Sequence, residues 1–532
     1  PVRRVYIAKA NGKQRPLGIP SFQDKLLMTV LKLILEAIYE PTFSNFSHGF
    51  RPHRSCHTAL DKIKKMSGIR WWVEGDIASF FDTVSQTTLL SILSKRITDQ
   101  RFLHLIEQLL KAGYVEDWKY NRTYSGVVQG GNLSPVLANV YLNELDQAVT
   151  LKIAEFNKGE KRTLLIHYST LHTQVYLAKK KARATHNWAE YKRLRNKKLN
   201  TPATDPQDAG FRRLTYIRYC DDFLLGVIGS KKDAEQLKDW LSKYLQEELD
   251  LELSPSKTLI TNAKDRVRFL GYDIRRWPKR RILRIHTKQG VKTQRTIEAK
   301  LELLMPYDKM VKFGKEYGDT TCWQGKHRNE LLNLSELEIL KTYNAEIRGF
   351  TGYYSLADNL KTSGGKLLHL TTGSFLATLA SKYKSSITKV GHRLKRGPAQ
   401  YVVSLRGKDG EAIREYELVA STRQLKKDEI NYNQPDLKPN TAMYRTRTEL
   451  GKRLLANQCE WCGTEQGQME VHHIRKLADL KGKTRWERQM QERKRKTMVL
   501  CQNCHVELHT ARLREKKKQT KGKLESRIPL TG

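Results

Sequence analysis

The stretch from residue 216 to residue 228 reads Tyr-Ile-Arg-Tyr-Cys-Asp-Asp-Phe-Leu-Leu-Gly-Val-Ile. Its flanking runs are rich in β-branched and aromatic residues, which predicts two buried strands joined by a tight turn that carries Asp221 and Asp222. Two carboxylates held together at the end of a buried hairpin repel each other, and a divalent cation, usually magnesium, relieves that repulsion. An Asp-Asp pair is also ordinary turn chemistry, so a metal site needs support from elsewhere in the chain.

A third carboxylate follows a predicted strand much earlier in the chain. Residues 71–77, Trp-Trp-Val-Glu-Gly-Asp-Ile, are typical of a strand that ends at Asp76, and Ser-Phe-Phe-Asp82 comes soon after. A carboxylate after a strand is often the N-cap of the next helix, and this is the simplest interpretation of Asp82. Asp76 has the chemistry and position to converge with Asp221 and Asp222 on two metal ions.

The charge balance of the 532-residue chain favours a polyanionic partner. Lys and Arg number 97 against 56 Asp and Glu, which gives a formal net charge of +41. Such an excess repels itself unless a polyanion neutralises it, so nucleic acid is favoured. An acidic membrane is disfavoured because no apolar run approaches the roughly 20 residues that span a bilayer. The length predicts three or four domains, and the hydrophobic content of 39% is enough for their cores.

Two basic segments each allow two interpretations. Residues 9–15 predict a basic turn of a kind that can meet phosphate, although a solvated hairpin tip is the simpler interpretation. Residues 157–210 are basic and poor in large aliphatic side chains after Leu177, which predicts an inserted helical excursion on the surface. A solvated charged face and an RNA-contacting arm fit this insertion equally well.

Helical periodicity is clear in three places. After Ser21, seven apolar residues recur at helical spacing, which predicts a core helix. Ser134, before a proline, starts a second helix. From about residue 290 the pattern turns helical, and Ser335 with Glu338 forms a capping box for a helix with an apolar core stripe.

Four of the seven cysteines form two CxxC pairs near the C terminus: Cys459, Cys462, Cys501 and Cys504. Their spacing is that of a closed four-thiolate zinc site rather than of a disulfide framework. Free thiolates of this kind are typical of a reducing compartment. A polar module of about 60 residues needs such a staple to fold. His505 and His509 are four residues apart, so one helical face can hold an ion between them. Histidines that serve only the zinc are the alternative, but four cysteines already fill one site.

Together with Glu470-Val-His-His-Ile474, these elements resemble an HNH, or ββα-metal, endonuclease module. The resemblance implies one divalent ion, with Mg²⁺ the expected metal, on three histidines: His472, His505 and His509. It also implies that His473 is the general base that activates water. The family usually carries an Asn in the strand before the final helix, where this chain has Lys496-Thr-Met. Asn503, between the zinc cysteines, is not at that position.

The larger part of the chain is similar to the reverse transcriptases encoded by group II introns, through blocks that occur in the family's order. These blocks are Arg15-Pro-Leu-Gly-Ile-Pro-Ser, His48-Gly-Phe-Arg-Pro, Glu74-Gly-Asp-Ile-Ala-Ser-Phe-Phe-Asp, Gln129-Gly-Gly-Asn-Leu-Ser-Pro, Tyr219-Cys-Asp-Asp-Phe, Leu253-Ser-Pro-Ser-Lys and Phe269-Leu-Gly-Tyr. Each block is weak alone, but seven in order are specific. The run that begins Ile347-Arg-Gly-Phe resembles the maturase domain. The family's Tyr-Ala-Asp-Asp is Tyr-Cys-Asp-Asp here, which exchanges one small residue for another.

The resemblance implies an α+β multidomain protein with the right-hand plan of polymerases. Fingers and palm, with an antiparallel palm sheet, are expected over residues 1–285, including the basic insertion at about 157–210. An α-helical thumb, or maturase domain, is expected over 286–400 and a DNA-binding linker over 401–455. A zinc-stapled HNH module with a basic tail would complete the chain over 456–532.

The same resemblance implies roles for individual residues. Asp76, Asp221 and Asp222 would be the palm carboxylates, with Asp76 and Asp221 as the direct ligands of two Mg²⁺ ions. Phe81 would exclude a 2′-hydroxyl from the nucleotide site. Further substrate contacts are expected from Gln129 and Gly130 at the nascent base pair, Lys13 and Arg15 at the incoming phosphates, and Lys257.

The function that the resemblance implies has three linked steps. The protein would bind its intron RNA and help it splice, nick target DNA with the HNH module, and copy the intron from the new 3′ end. Its partners would be the intron RNA in a ribonucleoprotein, target DNA and deoxynucleoside triphosphates, without a membrane. The expected location is the bacterial cytoplasm, near the nucleoid, or an organellar matrix.

Two other functions fit parts of the pattern. A splicing maturase would use the chain only as an RNA-binding scaffold, but the intact carboxylates Asp76, Asp221 and Asp222 argue against it. A DNA endonuclease with a borrowed RNA-binding body is the second alternative. Because the chain opens on Pro1 rather than Met, we expect an N-terminal piece to be absent, and a targeting signal cannot be judged.

Overall fold

A computed structural model describes residues 1–8, 12, 14–205, 208–277, 282–287, 290–295, 300–405, 414–425, 457–473, 480, 487–488, 490–491 and 497–510. The chain divides into two compact units. The first comprises Pro1–Pro306 and Tyr354–Leu360, and the second comprises Tyr307–Tyr353 with the described residues beyond Leu360. Each unit has its own hydrophobic core.

The first unit combines helices with short strands, most of which pair antiparallel. Its strands are β1 (Val2–Ala8), β2 (Gln14–Ile19), β3 (Trp71–Asp76), β4 (Tyr114–Glu116), β5 (Lys119–Asn121), β6 (Arg213–Tyr219), β7 (Asp222–Ile228), β8 (Ile260–Asn262), β9 (Val267–Phe269), β10 (Tyr272–Arg276), β11 (Ile282–Thr287), β12 (Gly290–Arg295) and β13 (Leu301–Leu304). Its helices are α1 (Phe22–Tyr39), α2 (Cys56–Lys65), α3 (Phe80–Thr83), α4 (Gln86–Ser94), α5 (Gln100–Lys111), α6 (Ser134–Phe156), α7 (Ile166–Thr185), α8 (Ala189–Asn200) and α9 (Lys231–Leu249).

The central sheet of this unit has the strand order β6-β7-β3-β8, and its neighbouring strands are antiparallel. The predicted hairpin is confirmed as β6 and β7, and every β7 residue after Asp222 is buried. Helices α6 and α9 contribute their apolar faces to the same core. The register sets Asp76 opposite Asp222 and Gly75 opposite Phe223. The ends of β3 and β7 therefore meet where the acidic residues lie.

A second four-stranded sheet has the order β2-β1-β4-β5, and its strands β1 and β2 directly precede helix α1 in the sequence. Helix α1 begins after Ser21, whose hydroxyl accepts a hydrogen bond from the amide of Asp24, as the sequence predicts. The expectation of a core helix is correct for one face only, which buries Met28, Leu31, Leu35 and Tyr39. The other face leaves apolar side chains exposed: Phe22, Leu26, Val30, Leu33 and Ile34.

The basic insertion forms the helical excursion that its composition predicts. Helices α7 and α8 lie side by side, and few of their side chains are buried: Leu171, Ala178 and Ala182, all on α7. Most of the lysine and arginine side chains of the pair therefore reach solvent.

The second unit begins with a helical region and continues into short strands. Its elements are α10 (Tyr307–Gly314), β14 (Gly318–Asp319), β15 (Gln324–Gly325), α11 (Glu336–Tyr353), α12 (Leu360–Lys382), α13 (Ile387–Leu394), β16 (Lys395–Gly397), β17 (Gln400–Leu405), β18 (Arg414–Glu417), β19 (Met469–His473) and β20 (Thr497–Cys501). Residues 502–510 form a last helix, α14. The predicted capping box is confirmed, since Ser335 and Glu338 exchange hydrogen bonds between side chain and backbone at 2.9 and 3.3 Å.

The expectation of helices from about residue 290 is wrong for residues 290–295 and 301–304. These residues form β12 and β13 instead, and the described helices of this region start at Tyr307. Strand β13 pairs with β10, which buries Leu301 and Leu303. A stretch this short has too few apolar positions to separate a period of 2 from a period of 3.6, so pairing with a distant strand decides its structure.

The predicted linker over residues 401–455 starts inside the core of the second unit. Strands β17 and β18 pair with each other, and Val403 and Leu418 share a core cluster with residues of α11 and α12. Asn344 of α11 fixes the end of β18 to the helix. Its side chain donates to the carbonyl of Glu417 and accepts from the amide of Val419, both at 2.8 Å. The remainder of that linker, residues 406–413 and 426–455, lies outside the described residues.

The packing at the end of β3 predicts a specific intolerance at Gly75. A Cβ atom there would lie 2.0 Å from two ring atoms of Phe223. We expect Gly75→Ala to destabilise the first unit by about 1–3 kcal/mol through overpacking, and Phe223→Leu in the same chain to restore part of the loss. Thermal unfolding measures both variants. Gly349→Ala is the control, because nothing lies within 4 Å of that Cβ position in α11; an equal loss there would contradict the explanation.

Candidate functional site

The three acidic residues of the first unit lie in one neighbourhood. Asp76 ends β3 directly opposite Asp222, and Asp221 lies in the two-residue turn between β6 and β7. The charges of Asp221 and Asp76 both act on Asp222. The described residues do contain groups of three or more metal-ligating side chains whose ligand atoms all lie within 4.8 Å of one another. These groups consist of cysteines and histidines, and the three carboxylates are not among them. The three carboxylates are thus close, but their ligand atoms are not gathered as tightly as in those sets.

Lys257 lies against this acidic group. Its Nζ donates to Oδ2 of Asp76 at 2.8 Å, and the hydrogen bond raises the pKa of the lysine. The loop that carries Lys257 is tied to the end of β3, because the amide of Ser254 donates to the carbonyl of Asp76 at 2.8 Å. A cation therefore already neutralises part of the negative charge.

The carboxyl group of Asp222 has a raised pKa. Crowding by surrounding protein atoms, followed by the charges of Asp221 and Asp76, raises the pKa of Asp222 to about 7, although Lys257 acts in the opposite direction. Its side chain still reaches the surface. A divalent cation at this position would replace the proton and restore the charged form.

The other predicted substrate residues surround helix α3, which begins four residues after Asp76. Phe81 lies in α3, and its carbonyl accepts from the amide of Val127 at 2.8 Å. The Gln129 amide donates to the Asp82 carboxylate at 3.4 Å. The same loop is held against β2, because the amide of Gly18 donates to the carbonyl of Gln129 at 2.7 Å.

The backbone at position 130 accommodates only glycine. Its φ is +107°, and a Cβ atom would lie 2.9 Å from the carbonyl oxygen of Gly18. Arg15 is exposed on β2, paired with Ile7. Lys13 lies outside the described residues.

Three histidines meet in the C-terminal part of the second unit. His472 of β19 and His505 and His509 of α14 bring one ring nitrogen each to within 4.8 Å of one another. The two helical histidines are one turn apart, with their Nε2 atoms at 3.2 Å. Neighbouring residues of a strand face opposite sides, so His473 points away from this cluster. Across the sheet its partner is Thr497, in the stretch where the family's Asn is absent.

Glu470 is a functional candidate that the sequence reasoning missed. Its carboxylate contacts Nδ1 of His505, which leaves Nε2 of that ring directed at the histidine cluster. A carboxylate in this position holds the ring orientation and increases its basicity toward a metal. The signal was available, because Glu470 and His472 are two residues apart in a strand and therefore share a face.

Four cysteines form a second cluster, with one sulfur atom each within 4.8 Å of the others: Cys459, Cys462, Cys501 and Cys504. Burial raises the pKa of the Cys459 thiol, but backbone amides around Cys462 and Cys501 outweigh it and bring the value to about 6. Four sulfur ligands in one small volume suit a tetrahedral zinc ion. All seven cysteines of the chain lie in the described residues, and none of them forms a disulfide there.

Comparisons with known protein families agree with this geometry. Residues 7–274 match the model "Reverse transcriptase (RNA-dependent DNA polymerase)", residues 295–433 match "Type II intron maturase", and residues 459–505 match "AI2M/AI1M-like, HNH endonuclease". An antiparallel sheet that presents paired aspartates, followed by these two modules, defines a reverse transcriptase joined to a maturase and an HNH endonuclease domain.

Individual relatives narrow the class. The group II intron-encoded protein LtrA of Lactococcus lactis subsp. cremoris is 39% identical over 524 residues, which cover 95% of this chain and 85% of that protein. The putative COX1/OXI3 intron 2 protein of Saccharomyces cerevisiae is 30% identical over 96% of this chain and 59% of its own length. A Candida albicans telomerase structure matches with a TM-score of 0.36 at 13% identity, over 74% of this chain and 60% of that one. The chain belongs to the group II intron-encoded proteins.

Membership in this family confirms the predicted activities at the level of domains. The chain is a group II intron-encoded reverse transcriptase and maturase with an HNH endonuclease domain. A reverse transcriptase uses divalent metal ions. Every helix among the described residues is too short or too polar to cross a bilayer.

The raised pKa of Asp222 predicts how pH changes stability. The folded protein keeps a proton on Asp222 up to about pH 7, whereas an unfolded chain loses it near pH 3.9, so this residue's contribution to stability falls as pH rises between those values. Asn does not titrate. Without divalent ions, the melting temperature of Asp222→Asn should therefore rise relative to the unchanged protein from about pH 5 to about pH 8.

Thermal scans at several pH values measure this difference. Added Mg²⁺ should shrink it, because the ion stabilises the charged carboxylate of the unchanged protein. A difference that is constant with pH, or that falls as pH rises, would contradict a raised pKa at Asp222.

Proposed function

We propose that this protein inserts its intron by target-primed reverse transcription, with two separate metal sites on one chain. The HNH site nicks target DNA, and the polymerase site extends the resulting 3′ end on the intron RNA. The observation that carries the proposal is the pairing of Asp76 with Asp222 beside Asp221, together with an independent histidine cluster in the second unit. An RNA-templated polymerase needs a primer, and a nuclease on the same chain provides one.

In the polymerase site, Asp76 and Asp221 are the direct ligands of two Mg²⁺ ions, and Asp222 completes the acidic group. When bound by these residues, Mg²⁺ would supply activation of the primer 3′-hydroxyl and neutralisation of charge on the triphosphate. Lys257 would contact the triphosphate. The 2.8 Å hydrogen bond from Lys257 to Asp76 supports this role, because it holds a cation beside the acidic group.

The nucleotide contacts follow from the same arrangement. Phe81 excludes a 2′-hydroxyl by its bulk, and Gln129 and Gly130 bring the loop close to the nascent base pair. Arg15 and Lys13 bind the incoming phosphates. The close approach of Gly130 to β2, the strand that carries Arg15, supports a common surface for these groups.

In the HNH site, His472, His505 and His509 hold one divalent ion and His473 is the general base. The ion stabilises charge on the scissile phosphate. Because His473 faces away from the cluster, it is free to take a proton from water rather than bind metal. Glu470 orients His505. The cysteine cluster is a structural zinc site that stabilises this module.

The domain plan that we propose is a fingers and palm region, an α-helical thumb, a DNA-binding linker and a zinc-stapled HNH module. Its partners are the intron RNA, target DNA and deoxynucleoside triphosphates, and the matches to a type II intron maturase and an RNA-dependent DNA polymerase support the first and the last of these. The protein acts in the bacterial cytoplasm or in an organellar matrix. Bacterial and yeast relatives support both locations.

The α7–α8 pair is our candidate for an RNA-contacting arm rather than a merely solvated face. Residues 166–200 carry nine lysine or arginine residues and one acidic residue, Glu190. On α7, Tyr176, Lys179, Lys180 and Arg183 fall on one exposed face. An aromatic side chain among cations suits a backbone of phosphates with accessible bases.

Separate sites predict separable defects. Asp76→Asn should reduce primer extension on an RNA template by at least about 10³-fold, since it removes a metal ligand, and leave nicking of target DNA intact. His473→Ala should abolish nicking through loss of the general base and leave extension of a supplied primer intact. Gel assays of both reactions on each variant measure this. Loss of both activities in either variant would contradict two independent sites.

The same assays decide between the alternative functions. An unchanged protein that supports splicing but extends no primer would be an RNA scaffold. An unchanged protein that nicks DNA and does neither of the other reactions would be an endonuclease.

Charge reversal tests the RNA-contacting arm. The triple change Lys179→Glu, Lys180→Glu and Arg183→Glu should weaken intron RNA binding and reduce the slope of log Kd against log salt by about two to three units. The matched control keeps the charge through Lys179→Arg, Lys180→Arg and Arg183→Lys, and should bind normally. Filter binding across a salt series measures the slope. An unchanged slope in the reversed variant would show that this face is only solvated.

A further inference from the structure

Arg218 is a buried cation two residues before the acidic turn. It lies on β6, and its side chain and that of Asp146 on α6 are both fully buried, with Nη2 and Oδ2 2.6 Å apart. A buried ion pair repays its desolvation poorly, and apolar residues of similar size often serve stability as well. Stability alone therefore does not explain why an ion pair is buried here.

The guanidinium of Arg218 connects helix α6 to the turn. Its Nε donates to Oδ1 of Asp146 at 2.8 Å, which completes a two-pronged contact with that carboxylate. On the other side, Nη1 donates to the carbonyl oxygen of Cys220 at 2.9 Å and to Oδ1 of Asn139 at 3.1 Å. Because a guanidinium is planar and rigid, Asp146 sets the direction in which Nη1 points.

The carbonyl that Arg218 holds belongs to the peptide bond between Cys220 and Asp221. A peptide unit is planar, so a fixed oxygen fixes the plane and the exit direction of the chain at Asp221. Cys220 has φ of +60°, a left-handed conformation that costs about 1–3 kcal/mol in a residue other than glycine. The turn is thus held in a conformation that it would not keep unaided.

The other side of the same turn is closed by backbone. A Cβ atom at Gly49 would lie 2.5 Å from the amide nitrogen of Cys220, so only glycine permits this approach. Asn139 joins the two sides, because its Nδ2 donates to the carbonyl of Gly49 at 2.8 Å while its Oδ1 accepts from Arg218. Residues of α6 therefore control both faces of the turn.

We propose that Arg218, oriented by Asp146 and Asn139, is a positioning residue that sets the geometry of Asp221 and Asp222 through the carbonyl of Cys220. The inference deepens the proposed polymerase site and rests on it. Arg218 touches neither substrate nor metal in this role. Its effect reaches the chemistry because a displacement of about 1 Å at reacting groups can reduce rate about 10²-fold.

The main test uses Arg218→Lys in the full-length protein. Lysine keeps the charge for Asp146 but lacks the fork that reaches Asp146 and Cys220 together. We expect kcat for primer extension to fall about 10²-fold. The KM for the nucleotide should change little, and half-maximal extension should require more Mg²⁺. DNA nicking by the HNH domain should be unchanged, and a normal thermal unfolding transition shows that the first unit is folded.

Two control variants, and a third variant held in reserve, separate positioning from stability. Tyr216→Phe removes a 2.9 Å hydrogen bond to Asp146 but leaves the contact with Cys220, so extension should stay within about threefold of the unchanged protein even if stability falls. Arg275→Lys alters the contact of Arg275 with Glu302, between β10 and β13, and should leave kcat and the Mg²⁺ requirement unchanged. Asn139→Ala leaves no charge unpaired and serves if the Arg218 variant fails to fold; its kcat should fall with KM unchanged.

Hydrogen exchange supplies a readout that does not depend on activity. Amides of the peptide that spans residues 219–223 should exchange faster in Arg218→Lys than in the unchanged protein, while β10 and β13 exchange equally in both. Normal kcat, Mg²⁺ requirement and turn exchange in a folded Arg218→Lys protein would overturn the proposal. If Asp76→Asn extends primers normally, the polymerase site itself is wrong, whereas faster turn exchange would still support the effect of Arg218 on the turn.

Discussion

The antiparallel register between β3 and β7 is the constraint on which the polymerase half depends. It brings together Asp76 and Asp222, which are far apart in the chain, because Gly75 gives space to the ring of Phe223. A slip of one residue would turn every side chain of β3 to the opposite face and separate the carboxylates. The buried residues of both strands exclude that slip, because it would expose them to water. Packing in the core thus determines where the acidic groups stand.

Charge balance at the site is arranged from several elements. Asp222 alone would carry its negative charge at a high cost, as its raised pKa shows. Lys257 offsets part of that charge from one side. Arg218 lies behind the turn, where Asp146 neutralises it, so it contributes geometry rather than net charge. The excess of positive charge elsewhere on the chain, such as on α7 and α8, is available to bind a polyanion.

In the second unit, the short helix α14 contributes side chains to both the cysteine cluster and the histidine cluster. Cys504 and His505 are neighbours near the start of α14, so the cysteine cluster holds the helix end from which His505 and His509 project. Strand β19 brings His472 to them through its pairing with β20, where Met469 stands opposite Cys501. A metal bound by the cysteines would therefore stabilise the arrangement of the histidines as well as the fold of the module.

The sequence by itself determined the chemistry of this protein. The turn with Asp221 and Asp222, the two CxxC pairs and the paired histidines are local patterns, and each depends on neighbours within a few residues. The order of the sequence blocks then identified the family. Local patterns failed where distant pairing decides, as in the strand at Leu301–Leu304 and on the exposed face of α1. Only the tertiary structure could show that Asp146 and Asn139 orient Arg218 behind the turn, because helix α6 and strand β6 are far apart in the sequence and no local pattern encodes their contact.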